Sequence, residues 1–196
     1  MVNFKSTGQV TLVSQIRQLG RCLELVPLDP NFHDITVGLY EKDAIMTVWT
    51  FSCKPGVKKR IKTIRDQLVT LGEMMPVTGT YNQVQYPCQK VHQRATRFLM
   101  TRAVEKPVNY SLPEGKVKDL RSSLMLDIKS HEMNGQCVYK VTADGEAPNV
   151  SARLRAVNAG FIRYGEMEKI EGNVVGFPCG YRHDQLARMI LPYARN

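Results

Sequence analysis

One stretch of the chain occurs twice, and this repetition limits the possible folds more than any other feature. Asn82-Gln-Val84-Gln-Tyr86-Pro87-Cys88, followed by His92 and Arg97, is answered ninety-one positions later by Asn173-Val-Val175-Gly-Phe177-Pro178-Cys179, followed by His183 and Arg188. Asn, Val, Pro, Cys, His and Arg coincide at six of sixteen aligned positions, where average residue usage gives roughly one match by chance. The expectation is an internal duplication.

The correspondence extends on the N-terminal side. Ile35 to Tyr40 and Ala44 to Phe51, around Glu41-Lys-Asp43, are rich in β-branched and aromatic residues and read as a hairpin. Ser123 to Lys129 and Gln136 to Thr142 flank Asn134-Gly135, a strong hairpin-turn signal, at an offset of ninety-three. Each hairpin precedes a helical stripe, Ile61, Ile64, Leu68 and Leu71 in one copy and Leu154, Val157, Phe161 and Tyr164 in the other. Both stripes end in Gly-Glu-Met, where Gly72 and Gly165 are expected to serve as left-handed C-caps. Val84 to Tyr86 and Val174 to Phe177 then predict a third strand, with Pro87-Cys88 and Pro178-Cys179 opening a closing helix.

The predicted class is α+β: a duplicated β-β-α-β-α unit forming a pseudo-twofold domain, with an extra N-terminal helix. Residues 1–30 are expected as a helical arm, starting near Thr7 and carrying Val10, Val13, Ile16, Leu19 and Leu23 on one stripe. Residues 31–105 form the first repeat, 106–120 a linker marked by Pro107, Pro113 and Gly115, and 121–196 the second repeat.

Composition excludes some classes of protein. With 43% hydrophobic and 23% charged residues over 196 positions, the chain has the balance of a folded globule. It has no apolar run of about 18 residues and no signal-peptide core at Met1-Val-Asn-Phe-Lys, so a cytoplasmic protein without a membrane partner is expected. Five widely spaced cysteines suit reduced thiols better than a disulfide framework. The net charge of +9 favours polyanions through counterion release, and Lys58, Lys59, Lys62 and Arg65 form its densest cluster.

Function is written faintly. Cys88, His92, Cys179 and His183 make a Cys2His2 set suited to tetrahedral zinc if the two junctions meet, although this spacing is not diagnostic. A cysteine at a helix start can be activated, which makes Cys179 a candidate nucleophile and His183 its base. Helical phase argues for the bland alternative, with both cysteines on buried apolar stripes and Arg97 and Arg188 turned away. Arg60 and Arg153 flank the preceding stripe and are expected to snorkel or to pair with Glu73 and Glu166. No phosphate loop, His-Glu-x-x-His, Cys-x-x-Cys or Gly-x-Ser-x-Gly motif occurs, so no cofactor is indicated.

The leading expectation is a non-catalytic binding protein with a small anionic ligand between the repeats, contacted by Cys88, His92, Cys179, Arg182 and His183. A nucleic-acid-binding protein using residues 58–65 is the alternative, and a Cys/His enzyme or zinc-binding protein the second.

Overall fold

A computed structural model describes residues 14–28, 34–105 and 115–195 of the chain. After a helical segment, α1 at residues 14–19, the elements are β1 (Arg21–Pro27), β2 (Thr36–Lys42), β3 (Ile45–Trp49), α2 (Val57–Gly72), β4 (Met75–Pro76), β5 (Gln83–Gln85) and α3 (Gln93–Val104). The second half runs β6 (Val117–Lys118), β7 (Met125–Met133), β8 (Gln136–Asp144), α4 (Val150–Gly165), β9 (Glu168–Glu171), β10 (Val174–Gly176) and α5 (Asp184–Ala194). The class is α+β, with two antiparallel five-stranded sheets ordered β1-β2-β3-β5-β4 and β6-β7-β8-β10-β9. No helix among the described residues is long and apolar enough to cross a membrane.

Apart from α1, the described residues of the two halves carry the same elements in the same order, each with two strands beyond the predicted β-β-α-β-α unit. The added strands are β1 and β6 at one sheet edge and β4 and β9 at the other. Two-residue strands such as β4 and β6 carry too few side chains to show a period of two, and β1 was hidden inside an apparent helical stripe. The helix expected to reach Leu23 stops at residue 19. Gly20 turns the chain at φ +89, where a Cβ would lie 2.2 Å from the Glu41 carbonyl oxygen, and Leu23 enters the core from a strand. The rest of the predicted arm, residues 1–13 and 29–30, lies outside the described residues, as do residues 106–114 of the predicted linker.

Apolar periodicity places the helices as the spacing predicts. Val57, Ile61, Ile64, Leu68 and Leu71 of α2 are buried, as are Leu154, Val157 and Phe161 of α4. In each half the helix pair lies against its own sheet, and the halves meet through α2 with α5 and α3 with α4. The four helices therefore form a shared layer, and one continuous core runs through both halves.

The Gly-Glu-Met sequences work differently from the prediction. Gly72 and Gly165 end their helices, but the left-handed residues are Glu73 (φ 52) and Glu166 (φ 55). The glycines instead allow close helix packing: a Cβ on Gly72 would lie 2.7 Å from Leu99 Cδ1, and one on Gly165 3.0 Å from Ile190 Cδ1.

Arg60 and Arg153 also depart from the expected pairing with Glu73 and Glu166. Arg60 Nη2 donates to the Val104 carbonyl at 2.7 Å, at the end of α3, and Arg153 donates to the Arg195 carbonyl just past α5. Cations there satisfy carbonyls that have no partner within the helix. Arg153 additionally forms a bidentate pair with Asp119, at 2.6 Å for both hydrogen bonds, and Asp119 is fully buried. Those bonds from Arg153 hold the Asp119 carboxyl down at about 2.

Candidate metal centre

The two repeated stretches fold alike. Tyr86 to Gln89 is a turn closed by the Gln89 N–H donating to the Tyr86 carbonyl at 2.9 Å, and Gly180 donates to Phe177 at the same distance. Pro87 and Pro178 suit the second position of such turns. Gln89 (φ 54) and Gly180 (φ 68) then adopt the left-handed conformation, so the chain cannot continue directly into a helix.

The helices begin only at Gln93 and Asp184, with His92 and His183 at the N-cap positions, where neither side chain makes a cap hydrogen bond. This corrects the expectation that Pro-Cys opens the helix. Each cysteine sits in the turn and each histidine at the cap, so the helical-phase argument that set the cysteines on a buried stripe does not apply.

The two turns meet. His92 Nε2 and His183 Nε2 are 3.2 Å apart, and each lies 3.4 Å from its own cysteine, Cys88 Sγ or Cys179 Sγ. All four ligand atoms fall within 4.8 Å of one another. Tetrahedral zinc, with Zn–N about 2.0–2.1 Å and Zn–S about 2.3 Å, has N–N, N–S and S–S edges of about 3.3, 3.6 and 3.8 Å. The histidine–histidine separation and the distance from each histidine to its own cysteine agree with those edges to about 0.2 Å, whereas the four atoms together span up to 4.8 Å, about 1 Å beyond the widest edge.

The surroundings suit neutral imidazole ligands. His92 and His183 are buried, and desolvation pushes both down to about 4, leaving each ring uncharged near neutral pH. Tyr86, Phe177 and Tyr181 pack against them, with Tyr86 4.9 Å from His92 and Phe177 5.1 Å from His183 between ring centroids. The His183 backbone N–H donates to the Tyr139 hydroxyl. His183 Nδ1 is buried with no hydrogen-bond partner among the described residues, so its orientation rests on ring packing and on the Nε2 side.

Burial pushes the Cys179 thiol up to about 11. That is opposite to the shift an activated nucleophile needs. A divalent cation among the four donors would supply the charge that a thiolate lacks here.

A residue of the first half also supports the start of α5. The Glu73 carboxylate faces the backbone N–H groups of Gln185 and Leu186, while burial, the larger influence, raises its pKa. The left-handed backbone at Glu73 is the local feature that accompanies this placement.

The other candidate residues lie elsewhere. Arg182 adjoins His183 in sequence but is exposed, and its Nε donates to Asp184 at 2.7 Å. Lys58, Lys59 and Lys62 are exposed on α2, with the Lys58 ammonium over the Tyr81 ring at 4.9 Å. Arg65, from the same predicted cluster, is largely covered and pairs with Asp66 at 3.1 Å.

The sequence reading missed Tyr139 and Tyr181 altogether. The aromatic match between Tyr86 and Phe177 was visible, but nothing in it indicated a lining for the histidines. Compared with protein-family models, curated proteins and solved structures, the chain matches none.

Proposed function

We propose that this chain is a non-catalytic, zinc-stabilised protein made of two copies of one unit, clamped across a pseudo-twofold axis by Cys88, His92, Cys179 and His183. The carrying observation is that ligand atoms contributed equally by two sequence-distant turns lie within 4.8 Å of one another. A tetrahedral S2N2 set selects zinc among common divalent ions, and four protein ligands leave no open position for substrate. The zinc here is structural: it neutralises two thiolates and ties α3 to α5. Duplication of an ancestral ββαβα-containing unit explains why the two ligand pairs share one local geometry, because a pair of such units would first have met as a homodimer.

Metal analysis and cobalt substitution test the proposal. Purified protein should contain about one zinc per chain, and cobalt-substituted protein should show intense visible bands of a tetrahedral thiolate site. Folded protein that holds no zinc and takes up no cobalt would overturn it.

A further inference from the structure

The candidate metal centre has two unlike sides. His92 and His183 are buried, with Tyr86 and Phe177 packed against their rings. Cys88 and Cys179 are only half-buried, and Gln89, Lys90, Pro178, Tyr181 and Arg182 around them are exposed. The contacts of the sulfurs with the backbone lie at this outer side. The Cys88 thiol donates to the Lys90 carbonyl at 3.6 Å, and the Tyr181 N–H donates to Cys179 Sγ at 3.3 Å. Of the four candidate ligands, the sulfurs are therefore the pair nearest solvent.

Those sulfurs come from opposite halves and lie no more than 4.8 Å apart. A disulfide brings them to about 2.05 Å. Closing from the S–S edge of a tetrahedral zinc site, about 3.8 Å, asks each sulfur to move about 1 Å. Rotation about the Cα–Cβ bonds supplies this, since both cysteines sit in turns ahead of α3 and α5 and not within a helix. Cys137 adjoins the second turn, its N–H donating to the Gly180 carbonyl at 2.9 Å, but its sulfur stands outside the converging set.

We infer that Cys88 and Cys179 are a reversible redox pair, in which a small hydroperoxide joins their sulfurs as a disulfide and releases the zinc. The inference rests on the zinc reading above. One thiolate attacks a peroxide oxygen, the O–O bond breaks, and a sulfenic acid forms. The other thiolate attacks the sulfenic sulfur, so that the S–S bond forms, the S–O bond breaks and hydroxide leaves. The two thiolates lose two electrons and the peroxide gains them; with two protons from solvent, hydrogen peroxide ends as two waters. Zinc then loses both of its anionic ligands and keeps only two neutral imidazoles, too few to retain it. The disulfide joins the same two turns that the metal joined, so the halves stay tied in either state.

The test uses the zinc-loaded full chain and its C22S/C53S/C137S variant, each treated with hydrogen peroxide. Released zinc is read by 4-(2-pyridylazo)resorcinol absorbance, and thiol state by peptide mass spectrometry without reduction. In both proteins about one zinc per chain should leave as Cys88 and Cys179 appear in one disulfide-linked peptide pair. Dithiothreitol with added zinc should restore the starting state, and the oxidised protein should melt above reduced protein stripped by EDTA. Zinc retained under peroxide, both sulfurs carried to sulfinic or sulfonic acids, or either one joined to Cys137 instead would overturn the inference. A chain that never holds zinc sinks the zinc reading by itself. The linked peptide still decides the pair there, its presence sustaining the disulfide and its absence overturning it.

Discussion

β1 covers seven residues' length of the first sheet's edge, whereas β6 pairs with only two residues of β7. The second half compensates locally. Its hairpin is longer, β7 and β8 each having nine residues against seven and five in β2 and β3, and Asp119 beside β6 is locked by Arg153. Where the halves must be alike, at the Pro-Cys turns and the histidine caps, they are. Where β6 pairs with β7 over two residues, the second half has the buried Asp119–Arg153 ion pair. Shared geometry thus coincides with the candidate ligand atoms, and the halves differ at the sheet edge.

The largest expected effect tests the likeness. Cys88→Ala and Cys179→Ala should each eliminate stoichiometric zinc and lower the melting temperature by similar amounts, more than about 10 °C, because each half supplies two of four ligands. Full zinc retention by either variant in metal analysis would break the equivalence.

The next effect belongs to the second half. Removing the Asp119 carboxylate in Asp119→Ala strands the largely covered Arg153 and should cost about 3–5 kcal/mol in urea denaturation. Arg60→Met in the first half, which withdraws a helix-end hydrogen bond, should cost only about 1 kcal/mol.

Asp119 also sets a pH dependence. Its folded pKa is depressed from 3.8 to about 2, so its stabilisation is complete above the unfolded value and disappears as pH falls through about 2. Asp119→Asn should flatten the stability curve across that acid range, as followed by circular dichroism.

Helix packing gives a smaller contrast. A Cβ on Gly160 would lie 2.3 Å from the Ala194 carbonyl oxygen, so Gly160→Ala should destabilise by about 1–3 kcal/mol. Gln67, at the matching position of α2, should tolerate alanine within about 0.5 kcal/mol in the same assay.

The smallest effect is at the hairpin turns. Asn134 (φ 51) and Gly135 (φ 73) suit left-handed backbone, whereas the first half places Ala44 at φ 63. Ala44→Gly should therefore stabilise by up to about 1 kcal/mol, measured by thermal unfolding.

Residue spacing made much of the architecture legible. The offset of ninety-three carries Val57–Gly72 onto Val150–Gly165, and the offset of ninety-one carries Gln83–Gln85 onto Val174–Gly176. Apolar stripes and the Asn-Gly turn act within a few residues, and so survive in a linear reading. The four candidate ligand residues were also recognisable as a donor set. Their convergence was not, because no local pattern specifies how two distant turns approach.

What spacing did state about the cysteines was misleading. A difference of four residues reads as a helical face, but Gln89 and Gly180 in left-handed backbone turn it into a loop. β1 posed the same difficulty: the apparent stripe through Leu23 resembles a helix until pairing with β2 claims its backbone hydrogen bonds.

Local pattern and the repeated residue spacing thus determined most of the elements, their order and the candidate ligands. Tertiary packing decided that Cys88, His92, Cys179 and His183 lie together, that Arg153 answers Asp119, and that α2 meets α5 and α3 meets α4. The physical reason is range: propensity and periodicity act over one or two turns of chain, whereas these contacts join residues 34 to 91 positions apart.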